Sequence, residues 1–223
     1  MSHDKEKQLV AKEAVKLIKP GMTIGIGSGT TSAYFIQALK ERVQKEHLKI
    51  TCIATSIHSK ELIGGSIPLI DESLKDEIDI TFDGADRIDL KTFHLIKGGG
   101  GALLREKLVA AKSKQNIVLV DYSKVTSPLQ GFPVALEIVK FGHESTLQRL
   151  KKLGYEGKLR KSPSDNDNYI YDIDFKGAIE NPEKHHTLLK SLLGVIETGL
   201  FLNTATKAYI AQKDGTVKIV ERP

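Results

Sequence analysis

The chain has 223 residues, 40% of them hydrophobic and 27% charged, which suits a globular protein with its own core in one domain or two. It carries a net charge of +5 and a single cysteine, Cys52, so an internal disulfide is excluded, and no apolar run approaches the length of a bilayer span. The lysines are scattered and aromatics make up only 6%, without the clustered basic face or stacking residues of a nucleic-acid binder; a mild positive field equally suits a phosphorylated metabolite.

The opening stretch MSHDKEKQLVAKEAVKL is polar and lacks the apolar core of a secretory signal. Leu9, Val10, Ala14, Leu17 and Ile18 recur at helical spacing, so a helix is expected over residues 4–18 with Asp4 as N-cap and Pro20-Gly21 as its stop. A strand at 22–27, a helix at 31–46 and a strand at 48–54 follow. Cys52 lies in that last apolar run and reads as a core residue; with no disulfide framework, a cytoplasmic location is expected. A short helix at 60–64, a short strand at 67–70, a buried strand at 77–83, a helix at 101–114 and a strand at 116–121 complete an alternation that predicts an α/β fold with a parallel sheet.

After residue 130 the rhythm changes. A strand at 132–141, a helix at 144–154, strands at 158–161 and 169–175, a helix at 182–194 and a strand at 195–202 give the order β-α-β-β-α-β of a ferredoxin-like unit. The tail at 208–220 carries Asp214-Gly215 between alternating runs, a hairpin signal. The expected organisation is a Rossmann-like open parallel-sheet domain at 1–130 plus 204–223, and a second, smaller ferredoxin-like α+β domain at 131–203.

In an open α/β sheet, ligands bind at the carboxyl ends of the strands; polar loops follow three of the predicted strands, and a fourth opens the helix at 101–114. GIGSGTTSA offers the backbone N–H groups of Ser28, Gly29, Thr30 and Thr31, and the hydroxyls of Ser28, Thr30 and Thr31, to an anion. It fails the dinucleotide pattern, since Thr30 or Ser32 stands where the final glycine is required, and it lacks the Gly-Lys-Ser/Thr of a nucleotide triphosphatase. DGAD, comprising Asp83, Gly84, Ala85 and Asp86, sets two carboxylates at a turn, suited to ordering sugar hydroxyls or moving protons between oxygens; a plain turn is the alternative. No further acid or histidine joins them, so a metal is not expected. His185 and His186, adjacent on a helix, point apart and read as surface residues.

KGGGGALLREK places Lys97 before Gly98, Gly99, Gly100 and Gly101 and then opens a helix. Four glycines let the backbone take positive φ and a ligand approach it. On the helix, Leu104, Leu108 and Ala111 read as the buried stripe, with Glu106 about 200° away at 100° per residue. By itself, Glu106 reads as a solvated first-turn glutamate favoured by the helix dipole. Lys124 in DYSK follows the next strand and would sit at the same sheet edge.

The series GSGTT, DGAD, KGGGGALLREK and DYSK, with GVIETGLF near the end, resembles that of the type A ribose-5-phosphate isomerase family, and the resemblance runs over nearly the whole chain. It implies interconversion of ribose 5-phosphate and ribulose 5-phosphate, with no metal and no cofactor. By position it implies Glu106 as catalytic base, with Asp83, Asp86 and Lys97 also in the chemistry, and Ser28–Thr31, Asp83–Asp86, Lys97–Gly100 and Lys124 as substrate-binding. Lys7 is a weaker candidate for the phosphate and Arg105 a further helper. A homodimer or homotetramer is implied, with a small-molecule sugar phosphate as partner and neither nucleic acid nor membrane. Arg87 departs from the family at a position where an acid is common, which puts the rim of the site in question. A non-enzymatic sugar-phosphate sensor is the alternative; it would not require Glu106 or Lys97. A CoA transferase and a nicotinamide-dependent dehydrogenase are disfavoured, one for want of a CoA site and the other by the failed glycine pattern.

Overall fold

The computed structural model describes residues 3–222, so the expected domain ends at 1 and 223 lie outside the described residues. In chain order its elements are α1 (Asp4–Ala14), β1 (Thr23–Ile26), α2 (Gly29–Glu46), β2 (Thr51–Ala54), α3 (Ile57–Ile63), β3 (Ile80–Gly84), β4 (Arg87–Asp89), β5 (His94–Ile96), α4 (Leu103–Ala111) and β6 (Asn116–Asp121). Then come β7 (Val134–Ile138), α5 (His143–Lys152), β8 (Gly157–Leu159), β9 (Tyr169–Ile173), α6 (Pro182–Ser191), β10 (Val195–Thr198), β11 (Leu200–Phe201), β12 (Lys207–Ala211) and β13 (Val217–Glu221).

The chain divides into two compact units. Of the described residues, the first takes those up to Ala85, then Arg105–Val125, then those from Thr204 to residue 222. Its sheet has the order β13-β12-β6-β3-β1-β2, parallel throughout except for the hairpin strand β13. Strand alternation sorts its side chains. Ile24, Ile26, Ile80, Phe82, Ile117 and Leu119 pack in one core cluster with Val10 of α1 and Phe35, Ile36 and Leu39 of α2. On α4, Val109 packs with Ile53 and Ile78 in a separate cluster. Arg42 of α2 donates to the carbonyls of Val15 and Ile18, capping the end of the first helix, where the last carbonyls lack intrahelical partners.

The second unit takes Asp86–Leu104 and Thr126–Asn203. Its antiparallel sheet has the order β10-β7-β9-β8, the split βαβ arrangement of a ferredoxin-like domain. Leu136, Ile138, Tyr171 and Ile173 form a core with Leu147 and Leu150 of α5 and Leu189 of α6. A three-stranded sheet, β11-β5-β4, completes the unit.

Several expectations shift. Residues 86–104 group with the second unit rather than with the parallel sheet, because β5 pairs with β4 and β11. The expected strand at 195–202 is two strands in different sheets, broken at Gly199, where a Cβ would lie 2.3 Å from the Lys97 carbonyl oxygen. The strand expected at 67–70 is reduced to a single bridge between Leu69 and Cys52. The N-cap of α1 is His3, without a side-chain bond, and Asp4 falls inside the first turn.

Candidate active site at the ends of the strands

In the first unit the strand order reverses at β1: β2 lies on one side of it and β3 on the other. Ligand crevices form at such a switch point, outside the carboxyl ends of the strands. The chain leaves β1 into Gly27-Ser28 and leaves β3 at Asp83-Gly84, and the two loops touch. Asp83 Oδ1 accepts the Ser28 N–H at 3.2 Å and the Gly84 N–H at 2.7 Å. Gly27 is required by closeness: a Cβ there would sit 1.9 Å from Asp83 Oδ1. Ser28 is the N-cap of α2, so Gly29, Thr30 and Thr31 form its first turn, whose N–H groups have no carbonyl one turn back. The Ser28 and Thr55 hydroxyls lie 2.8 Å apart, and Ser59 Oγ donates to the Gly27 carbonyl at 2.7 Å, fixing the loop from β2 and α3.

Lys124 stands half-buried in a single 3-10 turn after β6, whose N-cap Asp121 accepts the Ser123 N–H at 2.9 Å. His3, one turn before Lys7 on α1, packs edge-on against Tyr122 with ring centroids 5.4 Å apart. Lys213, in the β12-β13 hairpin, lies over the same ring at 4.8 Å. The cations at this end of the sheet therefore include Lys213, which sequence reasoning missed because a hairpin lysine carries no local signal. Glu106 is in the first turn of α4 and only 5% exposed. It shares the buried face with Leu103 and Val109, whereas Leu108 is 51% exposed and Ala111 is exposed. The expected stripe was thus on the wrong side of the helix. The 200° separation was correct, and it puts Glu106 inward.

In the second unit Asp86 begins the segment that leads into β4. Its Oδ2 accepts the Gly99 N–H at 2.9 Å, and a Cβ on Gly99 would lie 2.7 Å from Oδ1. Gly98 has φ +103°, and a Cβ there would lie 2.9 Å from the Ala135 side chain and 3.3 Å from that of Leu103, while a Cβ on Gly100 would project into open space. Lys97 follows β5, is 5% exposed, and lies over the Phe201 ring at 5.3 Å. Arg160, after β8, reaches the carbonyls of Gly98 and Gly99 and the Asp172 carboxylate; it stood unmarked in KLRK. Arg87 turns to the carbonyls of Gln130 and Gly131 and lies over the Phe132 ring, so it serves a neighbouring loop.

His185 and His186 are half-buried, which corrects their reading as surface residues. His185 Nδ1 meets Tyr155 Oη and His186 Nδ1 meets Thr198 Oγ1, each at 2.7 Å. Burial and Lys184 hold the His185 imidazole below its ordinary pKa. Among the described residues, no group of three or more His, Cys, Asp or Glu side chains is arranged to hold a metal, and no helix is long and apolar enough to cross a membrane.

The family model for ribose 5-phosphate isomerase A (phosphoriboisomerase A) matches residues 51–215. The chain belongs to the ribose 5-phosphate isomerase A family. A second model, the DeoR C terminal sensor domain, matches residues 2–65. Ribose-5-phosphate isomerase A of Protochlamydia amoebophila is 47% identical over 97% of this chain and 95% of its own length. That of Bacillus mycoides is 46% identical over 94% and 96%. The structure of ribose 5-phosphate isomerase A from Methanocaldococcus jannaschii superposes with a TM-score of 0.92 at 36% identity, covering 99% of this chain and all of that one. A D-ribose-5-phosphate isomerase in complex with phospho-erythronic acid gives 0.92 at 34%, covering both chains fully. This chain is accordingly an aldose–ketose isomerase that interconverts ribose 5-phosphate and ribulose 5-phosphate.

Proposed function

We propose that Glu106 is the base of this isomerisation. Isomerisation removes a proton from C2 of ribose 5-phosphate and returns one to C1, through an enediolate. The Glu106 carboxylate takes the C2 proton, becomes the neutral acid, and gives the proton to C1. Charge develops on O1 as the proton leaves. Lys97 and the N–H groups of Gly98 and Gly100 meet that charge as preorganised donors, while the Gly99 N–H holds the Asp86 carboxylate. A proton must also pass from O2 to O1, and Asp83 and Asp86 are the carboxylates for that transfer and for opening the furanose ring. Ser28–Thr31 at the start of α2, with Lys124 and Lys7, take the phosphate.

The observation that carries this reading is the burial of Glu106. A glutamate with no function belongs in water at a first helical turn. The phosphorylated sugar acid bound by a relative supports a phosphosugar site here. The match to a sensor domain favours sugar-phosphate sensing as a second reading, but it ends before DGAD, Lys97 and Glu106. We further assign the chain to the cytoplasm and to a homodimer or homotetramer, on the family resemblance.

Purified protein treated with a chelator and assayed for ribulose 5-phosphate tests the metal-free chemistry; activity that is lost and then restored by a divalent ion contradicts it. In a Lys124→Ala variant the preference for ribose 5-phosphate over ribose is expected to narrow. An unchanged preference removes Lys124 from the phosphate site.

A further inference from the structure

We infer that Arg160 is a positioning residue of the reaction, aiming the glycine-loop N–H groups and the Asp86 carboxylate; this rests on the isomerase site proposed above. The Arg160 guanidinium makes four bonds within the second unit. Nε and Nη2 donate to the two oxygens of Asp172, each at 2.7 Å. Nη2 also donates to the Gly98 carbonyl at 2.9 Å, and Nη1 to the Gly99 carbonyl at 3.0 Å. The planar fork of an arginine can do this; the point charge of a lysine cannot.

The consequence follows from peptide geometry. In a trans peptide the carbonyl and the next N–H point to opposite sides of the chain. With the Gly98 carbonyl held by Arg160, the Gly99 N–H faces away from the guanidinium, and there it meets Asp86 Oδ2 at 2.9 Å. With the Gly99 carbonyl held as well, the Gly100 N–H is also turned away, at the glycine whose Cβ position is open space. The Gly98 carbonyl also accepts the Gly101 N–H at 2.9 Å, and Arg160 adds the second hold on that plane and a hold on the Gly99 carbonyl, in a run of glycines whose backbone is otherwise permissive. The bound cation also polarises both peptides, which strengthens their N–H groups as donors. Arg160 itself is backed by Asp172, and both side chains are about four-fifths buried, at 24% and 21% exposure.

A purely structural ion pair would affect stability and leave turnover alone. The test measures kcat, KM and melting temperature for the wild type, Arg160→Ala, Arg160→Lys and Asp172→Asn in one isomerase assay. Arg160→Ala is expected to lower kcat by about a hundred-fold with little change in KM, in line with the misplacement of an oriented oxyanion donor. Millimolar guanidinium ion is expected to restore part of that kcat and to leave the wild type unimproved. Arg160→Lys should stay near the alanine variant, and Asp172→Asn, which keeps the cation but loosens it, should fall between. The inference is overturned if Arg160→Ala turns over like the wild type, or if its loss follows the melting temperature and guanidinium restores nothing. A wild type that fails to form ribulose 5-phosphate would instead overturn the reading of the site.

Discussion

Two glycines decide where the two acids of DGAD can lie. Gly27 leaves room for Asp83 and Gly99 for Asp86, at separations no side chain tolerates. A Cβ added at Gly100 would meet nothing within 4 Å. Gly99→Ala is therefore expected to displace the Asp86 carboxylate and lower kcat by an order of magnitude or more. Gly100→Ala should keep the wild-type melting temperature and raise KM, because its methyl projects where the sugar is proposed to lie. Steady-state kinetics with thermal melts separates the two, and equal behaviour would contradict the assignment. Much of this was legible in the residues: the four loops, their order and the identity of each candidate. Their partners were not. Arg160 lies 61 residues from Gly99, and nothing in the local pattern of KLRK marks a side chain that will bind a distant carbonyl.

At the scale of elements, α4 is where periodicity misled. Leu104, Leu108 and Ala111 share one face, but burial selects Leu103, Glu106 and Val109. A short helix in which both faces are partly apolar gives no unique stripe, and tertiary packing decides. Val109→Ala should cost about 2 kcal/mol and Leu108→Ala no more than about 0.5 kcal/mol, measured by denaturant unfolding. The reverse order would restore the discarded stripe. The start of β3 carries a second test. Asp79 accepts the Thr23 N–H at 2.9 Å and pairs with Lys114 at 3.0 Å, and these hold its carboxyl below the usual aspartate value. A depressed folded-state pKa contributes stability above the unfolded value, and that stability is lost as pH falls through the folded one. Asp79→Asn is expected to cost about 1 kcal/mol near neutrality, a figure kept low because the pair is partly exposed, and the gap should close below about pH 4. A gap that persists at acid pH would assign the cost to packing.

For the whole molecule, the strand-helix alternation and the later β-α-β-β-α-β order foretold two kinds of sheet. They did not foretell that the division runs through the DGAD turn, between Ala85 and Asp86, and through α4, between Leu104 and Arg105. Short strands such as β4 and β5, three residues each, leave too little pattern to reveal their partners. The parallel sheet also buries Cys52 completely, and burial pushes its thiol up to about 12. Labelling of Cys52 should accordingly follow unfolding of the first unit and not the exposure of any loop. Rapid labelling of the folded chain near pH 8 would contradict this.

The central claim is that the buried carboxylate of Glu106 moves the proton. Its most direct test measures turnover of Glu106→Gln alongside the calorimetric affinity for ribose 5-phosphate. The account predicts that kcat falls by about a thousand-fold or more while the dissociation constant stays within about threefold, since shape and donors are kept and the base is lost. Turnover close to wild type would contradict it.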